Sequence, residues 1–244
     1  MRQLIHWLSI ILIVSIASLQ AQTIQEPQMV YVEGGTFMMG SSNYDDELPI
    51  HEVTLDSFYI GKYEITQKEW FQVMGSNPSE FKGDTLPVEN VSWEDIQIFI
   101  QKLNDISKLE YRLPTEAEWE FAARGGNKSK GFLYSGSNTL DSVGYFDGNS
   151  ENKTHPIGSK LPNELGIYDM SGNVWEWCSD WHDNDYTSSA SKGKNPKGVA
   201  TGNYRILRGG SWYNNEFESS VTKRSASDPA RKDSNYGFRL VREK

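Results

Sequence analysis

Ten consecutive residues combine two tryptophans, two acids and a Gly-Asn turn: Tyr168-Asp169-Met170-Ser171-Gly172-Asn173-Val174-Trp175-Glu176-Trp177. Trp175 and Trp177 alternate with their neighbours, so on a β-strand both indoles would face the same side of the sheet. The Gly-Asn turn would bring Asp169 and Glu176 together. Two carboxylates with exposed carbonyl oxygens form the ligand set that a hard cation prefers. This stretch is therefore the first candidate for a functional site.

The N-terminus has the pattern of a secretory signal. A basic residue precedes an apolar run over residues 7–17, and small residues follow before Ala21. We expect a signal peptide at 1–21 with cleavage after Ala21. A membrane anchor is the weaker alternative, because the run is shorter than the ~20 apolar residues of a spanning helix. Residues 22–28 would then form an extended leader, and residues 29–244 one secreted or periplasmic domain with no membrane span.

The net charge of the chain limits the classes of partner it can bind, and its cysteine count limits how it can be stabilised. The chain carries a net charge of −9, with 33 acidic against 24 basic side chains. Such a balance disfavours nucleic acid and anionic lipid as partners, since both would be repelled. Cys178 is the single cysteine, so no intramolecular disulfide can form. An exported domain of this kind must draw its stability from its core or from a bound metal.

Composition and capping signals indicate an α+β domain. Eight Trp, twelve Tyr and ten Phe accompany 21 Gly, which is unlike a helical bundle. Three hydroxyl residues are each followed three positions later by an acid, which predicts helix starts at Thr66, Ser92 and Thr115. The predicted helices run over 67–74, 93–107 and 116–124. The predicted strands cover 29–32, 36–40, 51–60, 166–168, 174–177, 204–208 and 236–241.

An ordered series of motifs makes a family resemblance specific. The motifs are Met29-Val30-Tyr31-Val32-Glu33-Gly34-Gly35, Tyr63-Glu64-Ile65-Thr66, Pro87-Val88-Glu89-Asn90-Val91-Ser92-Trp93, Arg112-Leu113-Pro114-Thr115-Glu116-Ala117-Glu118-Trp119-Glu120, Gly172-Asn173-Val174-Trp175-Glu176-Trp177, Arg208-Gly209-Gly210-Ser211-Trp212 and Gly237-Phe238-Arg239. In this order they resemble the formylglycine-generating enzyme, or sulfatase-modifying factor, family. The resemblance implies a C-type-lectin-like fold with much irregular loop and structural calcium.

The same resemblance argues against the family's oxidase chemistry. Its oxidase members convert a sulfatase cysteine to formylglycine with two cysteines that bind copper(I) shortly after the Arg-Gly-Gly-Ser motif. Asn214 and Ser219 stand at the corresponding positions, and neither can replace a thiolate. Cys178 is more typical of a small buried filler than of a catalyst. Ser211 matches a family active-site serine that lacks thiol partners here. We therefore expect no copper and assign no catalytic residue.

Calcium is the cofactor that this reasoning retains. By resemblance, Asp169 and Glu176 match side-chain ligands, while Gly172 and Val174 match carbonyl ligands. In the alternative, Asp169 holds a turn and Glu176 pairs with an arginine such as Arg208. A second family site, near Gly144-Tyr145, stays open because its acidic residue has no convincing counterpart.

The favoured function is a secreted, calcium-stabilised binding or accessory module of the cell envelope with a protein or glycan partner. Two enzymatic alternatives remain. The first is a protein-modifying oxidase acting on a sulfatase cysteine, and the second is the partner domain of an iron-dependent oxidoreductase. His51, His155 and His182 lack ligand spacing on a helix. The segment 180–186 is interpreted as a solvated acidic turn rather than a metal or sugar site.

Overall fold

The computed structural model describes residues 24–183 and 191–244, so the predicted signal peptide lies outside the described residues. The helices are α1 (Gln67–Met74), α2 (Trp93–Ser107), α3 (Glu116–Ala123) and α4 (Leu140–Val143). The strands are β1 (Met29–Val32), β2 (Gly35–Met39), β3 (His51–Leu55), β4 (Phe58–Gly61), β5 (Tyr111–Arg112), β6 (Trp175–Trp181), β7 (Gly193–Lys194), β8 (Arg205–Arg208), β9 (Arg224–Ser227), β10 (Tyr236–Gly237) and β11 (Val241–Glu243). No helix in the described ranges is long and apolar enough to cross a membrane.

The three predicted helices begin at the predicted residues. Thr66, Ser92 and Thr115 each accept a hydrogen bond from the backbone amide three residues on, and the acidic side chain at that position accepts one from the cap residue's own amide. Both orphan donors at each helix start are thereby satisfied. Helix α1 ends at Gly75 in the left-handed conformation, as the sequence predicts.

The strands form three small sheets. The first has the order β1-β4-β11-β5, the second β10-β6-β8-β9 and the third β2-β3-β7. Strand β10 lies parallel to β6, whereas β6, β8 and β9 pair antiparallel. The site stretch therefore enters β6, a strand with neighbours on both sides.

The predicted strand over 51–60 is wrong as a single element, because the chain changes sheets at Asp56 and Ser57. Strand β3 pairs with β2, while β4 pairs with β1 and β11. The facing strand breaks at the same level, where the Gly34 amide donates to Ser57 Oγ at 3.0 Å. A Cβ at Gly34 would lie 2.5 Å from the Leu55 carbonyl oxygen, so only glycine permits this close approach.

Two further strand predictions are wrong for related reasons. Residues 166–168 belong to no strand; they follow a turn at 164–165, where the Asn163 side chain accepts from the amides of Leu165 and Ile167. The segment 236–241 divides into β10 and β11, which belong to different sheets. Between them Arg239 turns into the interior, fully buried. The short helix α4 has no counterpart in the prediction.

The core consists of two large apolar clusters. One gathers α3 and the β2–β3 hairpin, and it includes Cys178. The other joins α1 and α2 to Trp175 and Trp177, which confirms that these two indoles share a side of β6. Cys178 is fully buried, in agreement with its interpretation as a filler.

Candidate functional site

The turn before β6 is held in an unusual backbone conformation. Asp169, Gly172 and Asn173 all have positive φ, at 59°, 87° and 62°. The Asn173 amide donates to the Tyr145 carbonyl at 2.8 Å, and a Cβ on Gly172 would lie 2.1 Å from that same oxygen. The glycine is therefore required by close approach as well as by φ. This turn places Asp169 and Glu176 beside each other, as the sequence predicts.

Glu176 is paired with an arginine, but with Arg239 rather than with Arg208. Arg239 Nη2 and Nε donate to the two Glu176 oxygens, both at 2.6 Å, and Trp119 Nε1 donates to Oε2 at 2.7 Å. Arg239 also donates to the carbonyls of Gly61 and Tyr168. A two-pronged contact of this kind fixes the carboxylate plane as well as balancing its charge.

Glu64, a residue that sequence reasoning did not select, completes the group. It is fully buried, and the Asn173 side-chain amide donates to its Oε2 at 2.6 Å. Burial, and after it the carboxylates of Asp169 and Glu176, raises the pKa of Glu64 well above its ordinary value. Burial raises the pKa of Asp169 to about 6, opposed by a hydrogen bond from the Gly158 amide at 2.7 Å. Three buried carboxylates therefore surround one guanidinium.

Some of the oxygen atoms at this turn are available as ligands for a hard cation, and others are already engaged. Among the described residues no hydrogen-bond donor reaches the carbonyl oxygens of Gly172 or Val174. Asp169 uses one oxygen for the Gly158 amide. The Glu176 carboxylate, in contrast, is already shared by Arg239 and Trp119. The described residues contain no cluster of three or more acidic, histidine or cysteine side chains placed to hold a metal. Any cation here would depend largely on Asp169 and the two carbonyls.

Asn214, one of the two residues that the family resemblance leads us to expect in place of a cysteine, lies in a separate polar cluster. Trp175 Nε1 donates to Asn214 Oδ1 at 2.9 Å, and the Ser211 hydroxyl donates to the same oxygen. Asn235 Nδ2 donates to Ser211 Oγ at 3.1 Å. Ser219 is fully buried, and its hydroxyl has no hydrogen-bond partner among the described residues. The cluster offers neutral amide and hydroxyl groups, so it contains neither a thiolate nor a base.

Arg208 and Arg124 make structural contacts around α3. Arg208 binds Glu120 and the carbonyls of Thr222 and Lys223, and Arg124 joins Glu120 to the Gly40 carbonyl. These contacts tie α3 to the loops around it. Their planar forks satisfy carbonyls and carboxylates together.

The prediction of a solvated acidic turn at 180–186 is wrong for its first residue. Asp180 is buried on β6 and accepts from the Glu116 amide at 2.9 Å and from the Ser179 hydroxyl at 3.0 Å. Burial, and next the charge of Glu116, raises the pKa of Asp180 to about 7. Residues 184–186 of that segment lie outside the described part of the chain.

Fold and site together define an α+β protein of the C-type-lectin-like class. Residues 15–244 match the Sulfatase-modifying factor enzyme 1-like domain, so the chain belongs to the sulfatase-modifying factor family. The chain is 37% identical to Chaperone protein LppX of Paenibacillus barcinonensis, over 98% of this chain and 99% of that one. It is 29% identical to the formylglycine-generating enzyme of Streptomyces coelicolor, over 88% of each. Among solved structures it is similar to Treponema denticola variable protein 1, with 33% identity, a TM-score of 0.83 and coverage of 88% and 95%.

Proposed function

We propose that this protein is an exported binding or accessory module of the cell envelope that lacks the oxidase chemistry of its family. The observation that carries the proposal is that Cys178 is the single cysteine of the sequence; by the family resemblance, we expect Asn214 and Ser219 where the oxidases carry copper-binding cysteines. An amide oxygen held by Trp175 and Ser211, and a buried hydroxyl, are hard neutral groups. Copper(I) needs soft thiolates.

The one remaining thiol is poorly placed to substitute for that pair. Cys178 lies in the core with no exposed surface. Burial, and after it the charge of Asp180, raises the pKa of this thiol well above its ordinary value. A reactive cysteine has the opposite environment, exposed and electropositive. The proposed function therefore needs no redox step.

A formylglycine assay tests this proposal. The purified protein is incubated with copper and a peptide that carries a sulfatase cysteine motif, and the peptide mass is followed. We expect no conversion, while an authentic family oxidase in the same buffer converts the peptide. Metal analysis of the protein as purified separates the alternatives further. Conversion of the peptide, or stoichiometric copper or iron, would overturn the proposal.

We further propose that calcium stabilises the turn before β6. Its support is the excess of negative charge, since Glu64, Asp169 and Glu176 face a single guanidinium. Buried carboxylates in such excess must either keep protons or meet another cation. Asp169 and the carbonyl oxygens of Gly172 and Val174 would provide the ligands, with Glu176 shared between calcium and Arg239. At this site calcium would supply charge balance and a cross-link between loops.

Thermal melting with calcium and then with chelator tests the calcium site. A ligand at a hundred times its Kd adds about 2.7 kcal/mol to the native state. For a domain of this size that corresponds to a rise of roughly 5–10 °C in Tm. Asp169→Ala should abolish the rise, whereas Asp233→Ala, on the surface, should retain it. A Tm that does not respond to calcium would refute the calcium site. Arg239 and bound protons alone would then balance the charge of the three carboxylates.

Export and a protein or glycan partner belong to the same proposal. The apolar N-terminal run and the lack of a second cysteine support an exported chain that folds without disulfides. A relative of 37% identity is named a chaperone, a role exercised by binding other proteins. Mass determination of the protein recovered from the periplasm or medium tests export, with cleavage expected after Ala21. Recovery of the uncleaved chain in the cytoplasm would contradict it.

A further inference from the structure

A cavity outside both sites is lined mainly by aromatic and aliphatic side chains. We call it the aromatic pocket; its volume is ≈ 310 Å³ and its lining residues are Asn43, Tyr44, Leu133, Tyr134, Phe217 and Ser220. Phe217 is 60% exposed and Leu133 42% exposed, although exposed residues of this size are costly on a soluble surface. Three aromatic rings thus face one solvent-open volume of the size that small ligands occupy, about 300 Å³ or more.

Acidic residues are the sequence neighbours of two of these aromatic residues. Glu216 directly precedes Phe217 in the 3₁₀ helix Glu216–Ser219, and Asp45 directly follows Tyr44 in the 3₁₀ helix Asp45–Glu47. Glu216 lies close enough to Tyr134 that its charge contributes, after burial, to a raised pKa of that phenol. Aromatic faces are themselves electron-rich, so rings and carboxylates create negative potential in the same place.

The protein already places one of its own ammonium groups at this corner. The Lys223 ammonium lies 4.7 Å from the centroid of the Tyr44 ring and 3.4 Å from the Asp46 carboxylate. This contact has the geometry of a cation–π interaction supported by an ion pair. The surroundings of Tyr44 therefore hold one cation already, and a ligand cation would have to share the Tyr44 ring with Lys223 or displace its ammonium.

We propose that the aromatic pocket binds an organic cation, either a free quaternary ammonium or the basic side chain of a partner protein. The cation would lie between Phe217, Tyr44 and Tyr134, with Glu216 at the rim balancing its charge. A desolvated cation between aromatic faces is stabilised by the ring quadrupoles, which a neutral ligand of equal shape cannot exploit. This inference rests on the proposed function in one respect: the organic cation would be the ligand of the proposed binding module.

Matched ligands separate the effect of charge from that of shape. Choline is titrated against its neutral isostere 3,3-dimethyl-1-butanol, and N-acetyl-lysine methylamide against the norleucine equivalent, with binding followed by NMR shifts. We expect each bound cation to outcompete its neutral isostere. Tighter binding of choline would identify a free quaternary ammonium, and tighter binding of the lysine compound a basic side chain. No cation binding at about 10 mM, or equal binding of the neutral isosteres, would overturn the proposal.

Matched variants locate the binding. Phe217→Leu keeps an apolar side chain but removes the ring, and should weaken cation binding about fivefold. Glu216→Gln should weaken it about threefold at low salt and less at high salt. Phe71→Leu, a change on the exposed face of α1, is the control and should leave binding unaltered. Binding that all three variants retain in full would contradict the assignment. The peptide-conversion assay reads a different site, so the two proposals can fail separately.

Discussion

Removing Arg239 should expose how much the buried ion cluster depends on one guanidinium. Arg239 has no exposed surface and makes two 2.6 Å contacts with Glu176, besides contacts with two backbone carbonyls. Arg239→Met keeps much of the volume but leaves Glu176 buried without a counter-charge. Breaking a buried pair in this way costs about 3–5 kcal/mol. For a domain of about 220 residues, this corresponds to a fall of roughly 10 °C in Tm.

The unfolding free energy lost in Arg239→Met should become smaller as pH falls. Arg239 opposes the effect of burial, which raises the pKa values of Glu64 and Asp169, so in Arg239→Met these buried carboxyls should hold their protons more tightly still. The folded variant then binds a proton more tightly than the unfolded chain does. Its deficit in unfolding free energy should therefore shrink as pH falls from 7.5 towards 5. Arg239→Met combined with Glu176→Gln should recover part of the stability at neutral pH.

Urea denaturation at both pH values measures these quantities. Arg231→Met is the control, since Arg231 is 58% exposed where it pairs with Asp233, and such surface pairs contribute about 1 kcal/mol or less. The reasoning would be refuted if Arg239→Met cost no more than this control. A deficit that is equal at both pH values would refute the charge argument alone.

Two further changes test the surrounding structure. The pKa of Asp180 is about 7 in the folded protein, above the unfolded value of about 3.9, so its charged form costs stability increasingly as pH rises from about 4 to 7. Asp180→Asn should remove this contribution. The unfolding free energy of the variant, compared with that of the original protein by urea denaturation, should therefore be more favourable at pH 8 than at pH 5. An equal difference at both pH values would contradict this prediction. Gly34→Ala should cost about 2–3 kcal/mol, because its Cβ would lie 2.5 Å from the Leu55 carbonyl. Gly83→Ala, whose Cβ would meet only the flexible Leu86 side chain, should cost less than half as much by calorimetry, and equal losses would refute the steric account.

Local signals in the sequence were sufficient for the helices. The hydroxyl–acid pairs predicted the starts of α1, α2 and α3, because a capping box is satisfied within one turn of chain. The strands were predicted less well where they change sheets. Burial falls on odd-numbered residues over 51–55 but on even-numbered residues at 58 and 60, so the alternation changes phase at the consecutive polar residues Asp56 and Ser57. The prediction of one strand passed over this change, and the two halves have different partners.

The candidate site was predicted only as far as its own turn. The proximity of Asp169 and Glu176 followed from the positive-φ turn between them. Glu64 lies 109 residues from Asn173 along the chain, and Arg239 lies 63 residues from Glu176. The tertiary fold brings Glu64 and Arg239 to the site, and the spacing of residues along the sequence does not reveal such distant contacts. The position of Glu64 between the large side chains of Tyr63 and Ile65 was the one local signal available for it.

The position of β11 has a consequence for how this chain acquires its structure. Residues 241–243 lie between β4 and β5, paired on both sides, so this segment forms an inner strand of the first sheet. A ribosome-bound chain cannot complete that sheet before residues 241–243 have been synthesised, and closing contacts of such long sequence separation form slowly. Until then β4 and β5 have an open edge, which is the state that a folding helper or an aggregating neighbour would meet. Deletion of residues 241–243 would therefore act on folding yield more than on the aromatic pocket or the turn before β6.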